Sequence, residues 1–402
     1  MDNLTQTEFR ASFSIIVISI CNGIGIPLVA LITAIKILQT NGIQIQFEYT
    51  LTVEKNREAN RINQNMMRTH EYPGQVQHMD NLEDLPAWIN QHMQKSQDPD
   101  HITNRCFILV LSGTPCKSIS QGARMNPNRL TFGIHASPSN LWFYAYQSIY
   151  NIARTFDASH RIIFVENVVA ANKVDTEELD KTAGFRSDMH TTNADGIRRR
   201  RHIWTSIEIE SPRAMDIPLK EMDNSKQWSV QSGHPYPTLR AIFPTLFWRA
   251  LDEDQSLSDQ DKRTVAQCFV LHQPTNTPRL PDIGLWSRMM GIDQKSYEAI
   301  IQTLPCLGEI SVHPPYPKRS RIEQCGLHAY CHNCSEILSH LGEAWNLRSS
   351  TERLTMTIKA FADMHDKNTI EEAMYLLQHR SFRYEVEPHV YSDTCTKARR
   401  KP

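Results

Sequence analysis

FSIIVISICNGIGIPLVALITAIKIL, residues 13–38, admits two readings, and the choice between them decides the fold. As one continuous apolar segment it is long enough to span a bilayer or to act as a signal segment. Against that reading stand Ser19, Asn22, Gly23, Gly25 and Pro27, which interrupt it at its centre. No small-residue cleavage site follows the apolar run. A strand, SIIVISI (14–20), a Gly-rich turn and a buried helix, PLVALITAIKIL (27–38), account for the same residues. The chain is therefore expected to be soluble, with no membrane partner.

Outward from this unit, strand-like and helix-like stretches alternate. QFEYTLTVE (46–54) is β-like, NREANRINQNMMRTH (56–70) helical, QVQHMD (75–80) a short strand and LPAWINQHMQKS (85–96) helical. CFILVLSG (106–113), a helix over 139–156, RIIFVENV (161–168) and HIWTSIEIE (202–210) continue the series. Such alternation predicts an α/β fold, a mostly parallel Rossmann-like sheet with helices on both faces. Ligands of such sheets sit outside the carboxyl ends of the strands.

Composition bounds the rest. With 402 residues, 40% of them hydrophobic, the chain can bury a large core as one large domain or two. A formal net charge of -1 argues against binding nucleic acid by bulk electrostatics, though it is compatible with a local basic cleft. Nine scattered cysteines read as reduced thiols, which fits the nucleus of a eukaryote or otherwise the cytoplasm, not secretion. Residues 1–209 are read as the alternating α/β domain, and the Pro-, Ser- and Thr-rich residues 210–280 as a short irregular second region. Residues 281–370, where helical signals return, are read as rejoining the first domain, and 371–402 as a disordered tail. CGLHAYCHNC (325–334) contains Cys325, His328, Cys331, His332 and Cys334. With a single C-x-x-C and no matching pair, it reads as a surface helix with reduced thiols, and no metal is expected.

Chemistry-bearing residues gather at the strand ends. The turn after the first strand contains Ser19, Asn22, Gly23 and Gly25, where backbone can approach a cofactor closely. Glu54 ends the second strand and suits ribose hydroxyls; Asp80 ends the third and suits an adenine amino group. Pro115 and Cys116 follow the fourth strand, Glu166 and Asn167 close the fifth, and four arginines, 198–201, precede HIW. A carboxylate after IIFV is costly to bury without a partner or a task.

These residues resemble the DNA cytosine-5 methyltransferases, most closely the animal de novo branch. VISICNGIG resembles the family's first, cofactor-binding motif, with TVEKN (Glu54) and QHMDNLEDL (Asp80) as the second and third. SGTPCKSIS resembles the Pro-Cys catalytic loop, RIIFVENV the Glu-Asn-Val motif, and RRRRHIW the Arg-x-Arg motif, which places its arginines on Arg199 and Arg201. TLRAIF, with Arg240, is similar to the target-recognition region, LWSRMMGI to the ninth motif, and HLGEAWNL, with Trp345 and Asn346, to the last. Two departures stand out: Cys21-Asn22-Gly23 replaces an aromatic-led turn, and Cys-Lys-Ser replaces Cys-Gln or Cys-Asn.

The resemblance implies S-adenosyl-L-methionine as cofactor, held by Ser19, Asn22, Gly23, Gly25, Glu54, Asp80, Pro115, Trp345 and Asn346. It implies that Cys116 adds to carbon 6 of a cytosine flipped out of duplex DNA, with Glu166, Arg199 and Arg201 stabilising the ring. Asn167 and Arg240 would contact the substrate. A second copy or a regulatory protein is the further partner it suggests. A tRNA-modifying relative shares the Pro-Cys loop, but its Cys-Phe-Thr signature is absent here. A non-catalytic member of the fold would typically lose Pro-Cys or Glu-Asn-Val, and both are intact.

Overall fold

Successive residues of β1 (Ala11–Ile20) enter two different cores. Phe13, Ile15 and Val17 join one apolar cluster, whereas Ile18 and Ile20 join the other. A strand covered on both faces has no polar side to show, so it reads as a continuous apolar run. That is why residues 13–38 look like a membrane span; the chain instead breaks at residues 21–25 and enters α1 (Ile26–Thr40), with Pro27 in its first turn. No helix among the described residues is long and apolar enough to cross a membrane.

A computed structural model describes residues 11–93, 106–114, 116, 119, 133–134, 141–156, 160–170, 172–184, 187–192, 199–207, 228–230, 258–259, 270–272, 277–279, 283–304 and 345–366. After α1 come β2 (Ile43–Val53), α2 (Arg57–Thr69), β3 (Val76–Met79), α3 (Leu85–Met93) and β4 (Cys106–Ser112). Then follow α4 (Leu141–Thr155), β5 (Arg161–Val168), α5 (Lys173–Ala183), β6 (Asp188–Thr192) and β7 (Arg199–Thr205).

These seven strands form one sheet in the order β3-β2-β1-β4-β5-β7-β6. The first five strands run parallel, and β7 lies antiparallel between β5 and β6. The α/β architecture and mostly parallel sheet expected from the sequence are therefore present. One face is covered by α1, α2 and α8 (Leu347–Asp366), the other by α3, α4 and α5.

Three details differ from the sequence reading. Helix α5 and strand β6 were not anticipated, because KVDTEELDKTA and DMHTT are too polar to announce themselves. The last strand of the series begins earlier than expected, at Arg199, so Arg199, Arg200 and Arg201 lie inside the sheet. It also runs antiparallel, because it returns from β6 by a hairpin-like reversal and not by a helical crossover.

From 210–280, the described residues include β8 (Trp228–Val230), β9 (Val270–His272) and β10 (Thr277–Arg279), a small antiparallel sheet in the order β10-β9-β8. Arg240 and the 325–334 cysteine cluster lie outside the described residues. Helices α6 (Ile283–Met289) and α7 (Gln294–Thr303) follow. Asn65 of α2 donates to the Ala299 carbonyl at 2.8 Å, tying α7 to the sheet-covering layer.

His70, at the end of α2, is buried against α7, where its Nε2 meets Ser296 Oγ at 2.8 Å. Burial holds its pKa below the ordinary imidazole value; Asp293 opposes that shift, and Lys295 and Lys36 add to it. The unfolded chain therefore takes up this proton first as pH falls, and the fold loses stability below about pH 6.5. His70→Gln is expected to flatten that acid limb of a denaturation-midpoint profile.

Candidate functional site

The strand order reverses between β1 and β4: successive units lie outward from β1 on one side and from β4 on the other. The crevice beyond the carboxyl ends of this pair is where open α/β sheets bind ligands. Its first wall is the turn after β1, where Cys21, Gly23 and Gly25 all take positive φ, at 54°, 56° and 94°. For Cys21 that left-handed conformation costs about 1–2 kcal/mol. Ser19 Oγ donates to Asn22 Oδ1 at 2.7 Å, and the Asn22 amide donates to the Val53 carbonyl at 3.2 Å, so the turn is pinned to β2. Against Gly25 packs Asn63 of α2, whose amide oxygen and nitrogen are buried without hydrogen-bond partners among the described residues.

Glu54 clamps this turn to the next strand. Its Oε2 accepts the Gly23 amide and its Oε1 the Asn56 amide, both at 2.9 Å. Each carboxylate oxygen keeps a second lone pair, so the group is oriented yet able to accept more. The Glu54 amide in turn donates to the Met79 carbonyl at 3.0 Å, which brings exposed Asp80 alongside. Burial and the Glu54 carboxylate both push the Cys21 thiol above its ordinary range, so that thiol stays protonated.

Gly113 begins the loop after β4, and its amide donates to the Ile20 carbonyl at 3.2 Å. A β-carbon here would sit 3.1 Å from Trp345 Nε1 and 3.7 Å from the Cys21 carbonyl, so glycine permits a close approach. Trp345 packs on Phe164 of β5 with ring centroids 5.2 Å apart, and its buried Nε1 has no hydrogen-bond partner among the described residues. Trp345 thus stands beside the start of the loop after β4. Asn346 caps α8, its Oδ1 accepting the Ser349 amide at 3.0 Å.

The second wall holds Cys116, half-buried, two residues beyond Thr114. Asn167 Nδ2 donates to Thr114 Oγ1 at 2.5 Å, and Thr114 Oγ1 donates to the Tyr146 hydroxyl at 3.4 Å. Tyr146 is fully buried, which raises its phenol and keeps it neutral. This chain locks the base of the cysteine loop to β5 and α4. The returning limb is held as well: the Ile134 amide donates to Asp175 Oδ1 of α5 at 3.3 Å. Pro115 lies outside the described residues.

Alternation along β5 sends Glu166 to the opposite face from Asn167. There Arg201 Nε donates to Glu166 Oε1 at 3.1 Å, and Arg201 Nη1 to the Arg200 carbonyl at 2.8 Å. Both residues of the pair are buried, at 8% exposure each. A desolvated ion pair like this is held for position more than for stability. Arg199 opens β7 two residues earlier.

The structure thus gathers Ser19, Asn22, Gly23, Gly25, Glu54 and Trp345 along the first wall and Cys116 and Asn167 along the second, while the Glu166–Arg201 pair lies at the end of β5 on the other face of the sheet. Three contributors escape the sequence reading: Asn63, Thr114 and Tyr146. Of these, Thr114 lies within SGTPCKSIS and Tyr146 within the helical stretch SNLWFYAYQSIY, whereas Asn63 lies in neither. Among the described residues no group of three or more His, Cys, Asp or Glu could hold a metal ion.

No protein-family model and no curated protein matches the chain.

Proposed function

We propose that the chain is a DNA cytosine-5 methyltransferase that uses S-adenosyl-L-methionine. The observation that carries this reading is the joint fixing of two strand ends: Thr114, at the foot of the Cys116 loop, is bonded to Asn167, while the adjacent Glu166 is paired with Arg201. A nucleophile and an oriented carboxylate–guanidinium pair on neighbouring strands suit attack on an electron-poor ring.

The first wall fits the cofactor. The outer lone pairs of Glu54 suit a vicinal diol, the glycine turn leaves room for a close approach, and the unpartnered Trp345 Nε1 offers a donor. Bound there, S-adenosylmethionine supplies an electrophilic methyl group. Cys116, as thiolate, forms a bond from sulfur to carbon 6 of cytosine, and the ring's electron pair moves to carbon 5. Glu166 accepts a hydrogen bond from the amino group and, on taking up a proton, donates it to the ring nitrogen where charge develops, with Arg201 fixing its orientation and offering its remaining donors to the base carbonyl. Once carbon 5 has been alkylated and has lost its proton to a base or water, the carbon–sulfur bond breaks and Cys116 is released. The base must leave the helical stack for any of this to occur.

The absent Cys-Phe-Thr signature favours DNA over tRNA as substrate. Incubation with labelled S-adenosylmethionine and either duplex DNA or tRNA tests the reading. Label is expected in DNA; label in tRNA alone overturns the substrate, and label in neither overturns the activity.

A further inference from the structure

Helix α8 lies on the face of the sheet that holds Glu166: its Leu354, Ile358 and Phe361 share a core with Phe164 of β5 and Ile203 of β7. Within this apolar surface sits an arginine, Arg353, at 3% exposure. Its Nε and Nη1 are buried and make no hydrogen bond to any described residue. Two carboxylates act on it, Glu166 across the site and Glu352 beside it in the helix, and burial outweighs both, drawing the guanidinium below its ordinary range. Glu352 is exposed, so solvent screens it. Glu166 is already engaged by Arg201.

Among the described residues the buried group therefore contains two guanidiniums, Arg201 and Arg353, and one carboxylate, Glu166. An uncompensated charge and orphaned donors in a core are strongly unfavourable unless something completes them. No described residue on the apolar face of α8 does so. What is missing is one negative charge with acceptor oxygens, placed beside Glu166 at the carboxyl edge of β5.

We propose that Arg353 is the oxyanion-binding residue of this site, donating its unused N–H groups to a carboxylate or phosphate oxygen of a bound substrate. Arginine suits that task because its planar donors match both groups and stay charged when desolvated. The inference rests on the methyltransferase reading, which offers two sources of such an oxyanion: the amino-acid carboxylate of the cofactor, and the phosphate flanking the extruded nucleotide.

Calorimetric titration of the full chain separates them. The probes are S-adenosylhomocysteine, methylthioadenosine (the same nucleoside without the amino-acid carboxylate), and a short cytosine-containing oligodeoxynucleotide. Arg353→Met is expected to weaken one charged ligand by about ten- to a hundredfold, the loss of charge-assisted hydrogen bonds. Weaker S-adenosylhomocysteine with unchanged methylthioadenosine assigns Arg353 to the carboxylate; a weaker oligonucleotide with unchanged S-adenosylhomocysteine assigns it to the phosphate. Arg353→Lys, which keeps charge but offers fewer matched donors, is expected to recover part of the loss. Because the variant removes an uncompensated buried charge, the ligand-free Arg353→Met protein is expected to melt higher than wild type. Unchanged affinity for all three probes overturns the proposal, as does a lower melting temperature without ligand, which would make Arg353 a strut of the core. Wild-type protein that binds neither S-adenosylhomocysteine nor the oligonucleotide sinks the methyltransferase reading itself.

Discussion

Cys116→Ala is expected to lower methyl transfer to cytosine by about four orders of magnitude or more, because it removes the only group assigned to activate carbon 6. Affinity for S-adenosylhomocysteine should be unchanged, since the first wall of the crevice is built from other residues. The sharper measurement is covalent trapping on a duplex that contains 5-fluorocytosine, in which fluorine blocks loss of the carbon 5 substituent. Wild-type protein is expected to form a stable adduct and Cys116→Ala none. Cys21 supplies the internal control. It lines the same crevice, but burial and the Glu54 carboxylate hold its thiol protonated, and it caps a turn that is pinned on both sides. Cys21→Ala should therefore still trap. An adduct that persists in Cys116→Ala and vanishes in Cys21→Ala would exchange the roles of the two sulfurs.

The contrast between these cysteines shows what could be read along the chain. Position relative to apolar runs was legible: SIIVISI, CFILVLS and RIIFV are strands buried on both faces, and burial leaves a compositional mark. Ends of such runs could be located, and with them Glu54, Cys116 and Glu166. The bonds that give these residues their roles could not, because each joins distant segments. Gly23 meets Glu54 across 31 positions, and Thr114 meets Asn167 across 53. Glu166 and Asn167 are adjacent in sequence, yet the pleat sends one toward Arg201 and the other toward Thr114.

Polar elements were the least legible. DMHTT is an edge strand and needs little apolar character, so β6 carries no alternating signal. RRRRHIW suggests an exposed basic turn followed by a strand, but Arg201 lies in a strand flanked on both sides, its charge met by Glu166. Arg353 is the extreme case. LRSSTERL reads as an ordinary solvated helix, and the burial of its second arginine follows only from where α8 lands on β5.

Gly25→Val is expected to be the most destabilising single change in the first wall of the crevice, by roughly 2–5 kcal/mol. Two effects contribute. A φ of 94° is a region that β-branched residues avoid, which costs about 1–2 kcal/mol. A side chain there also drives into Asn63, and overpacking of that kind costs about 1–3 kcal/mol. Asn63 has no escape, for it is fully buried between α2 and the turn. Thermal unfolding should fall by roughly 5–15 °C, with loss of S-adenosylhomocysteine binding as the turn deforms. A second substitution separates the two effects. Asn63→Ala in the Gly25→Val background should recover the steric part and leave the conformational part, giving a coupling energy of about 1–3 kcal/mol in a double-mutant cycle. If the two changes add without coupling, Asn63 does not wall the turn. The fixed geometry that places Gly23 on Glu54 would then need another source.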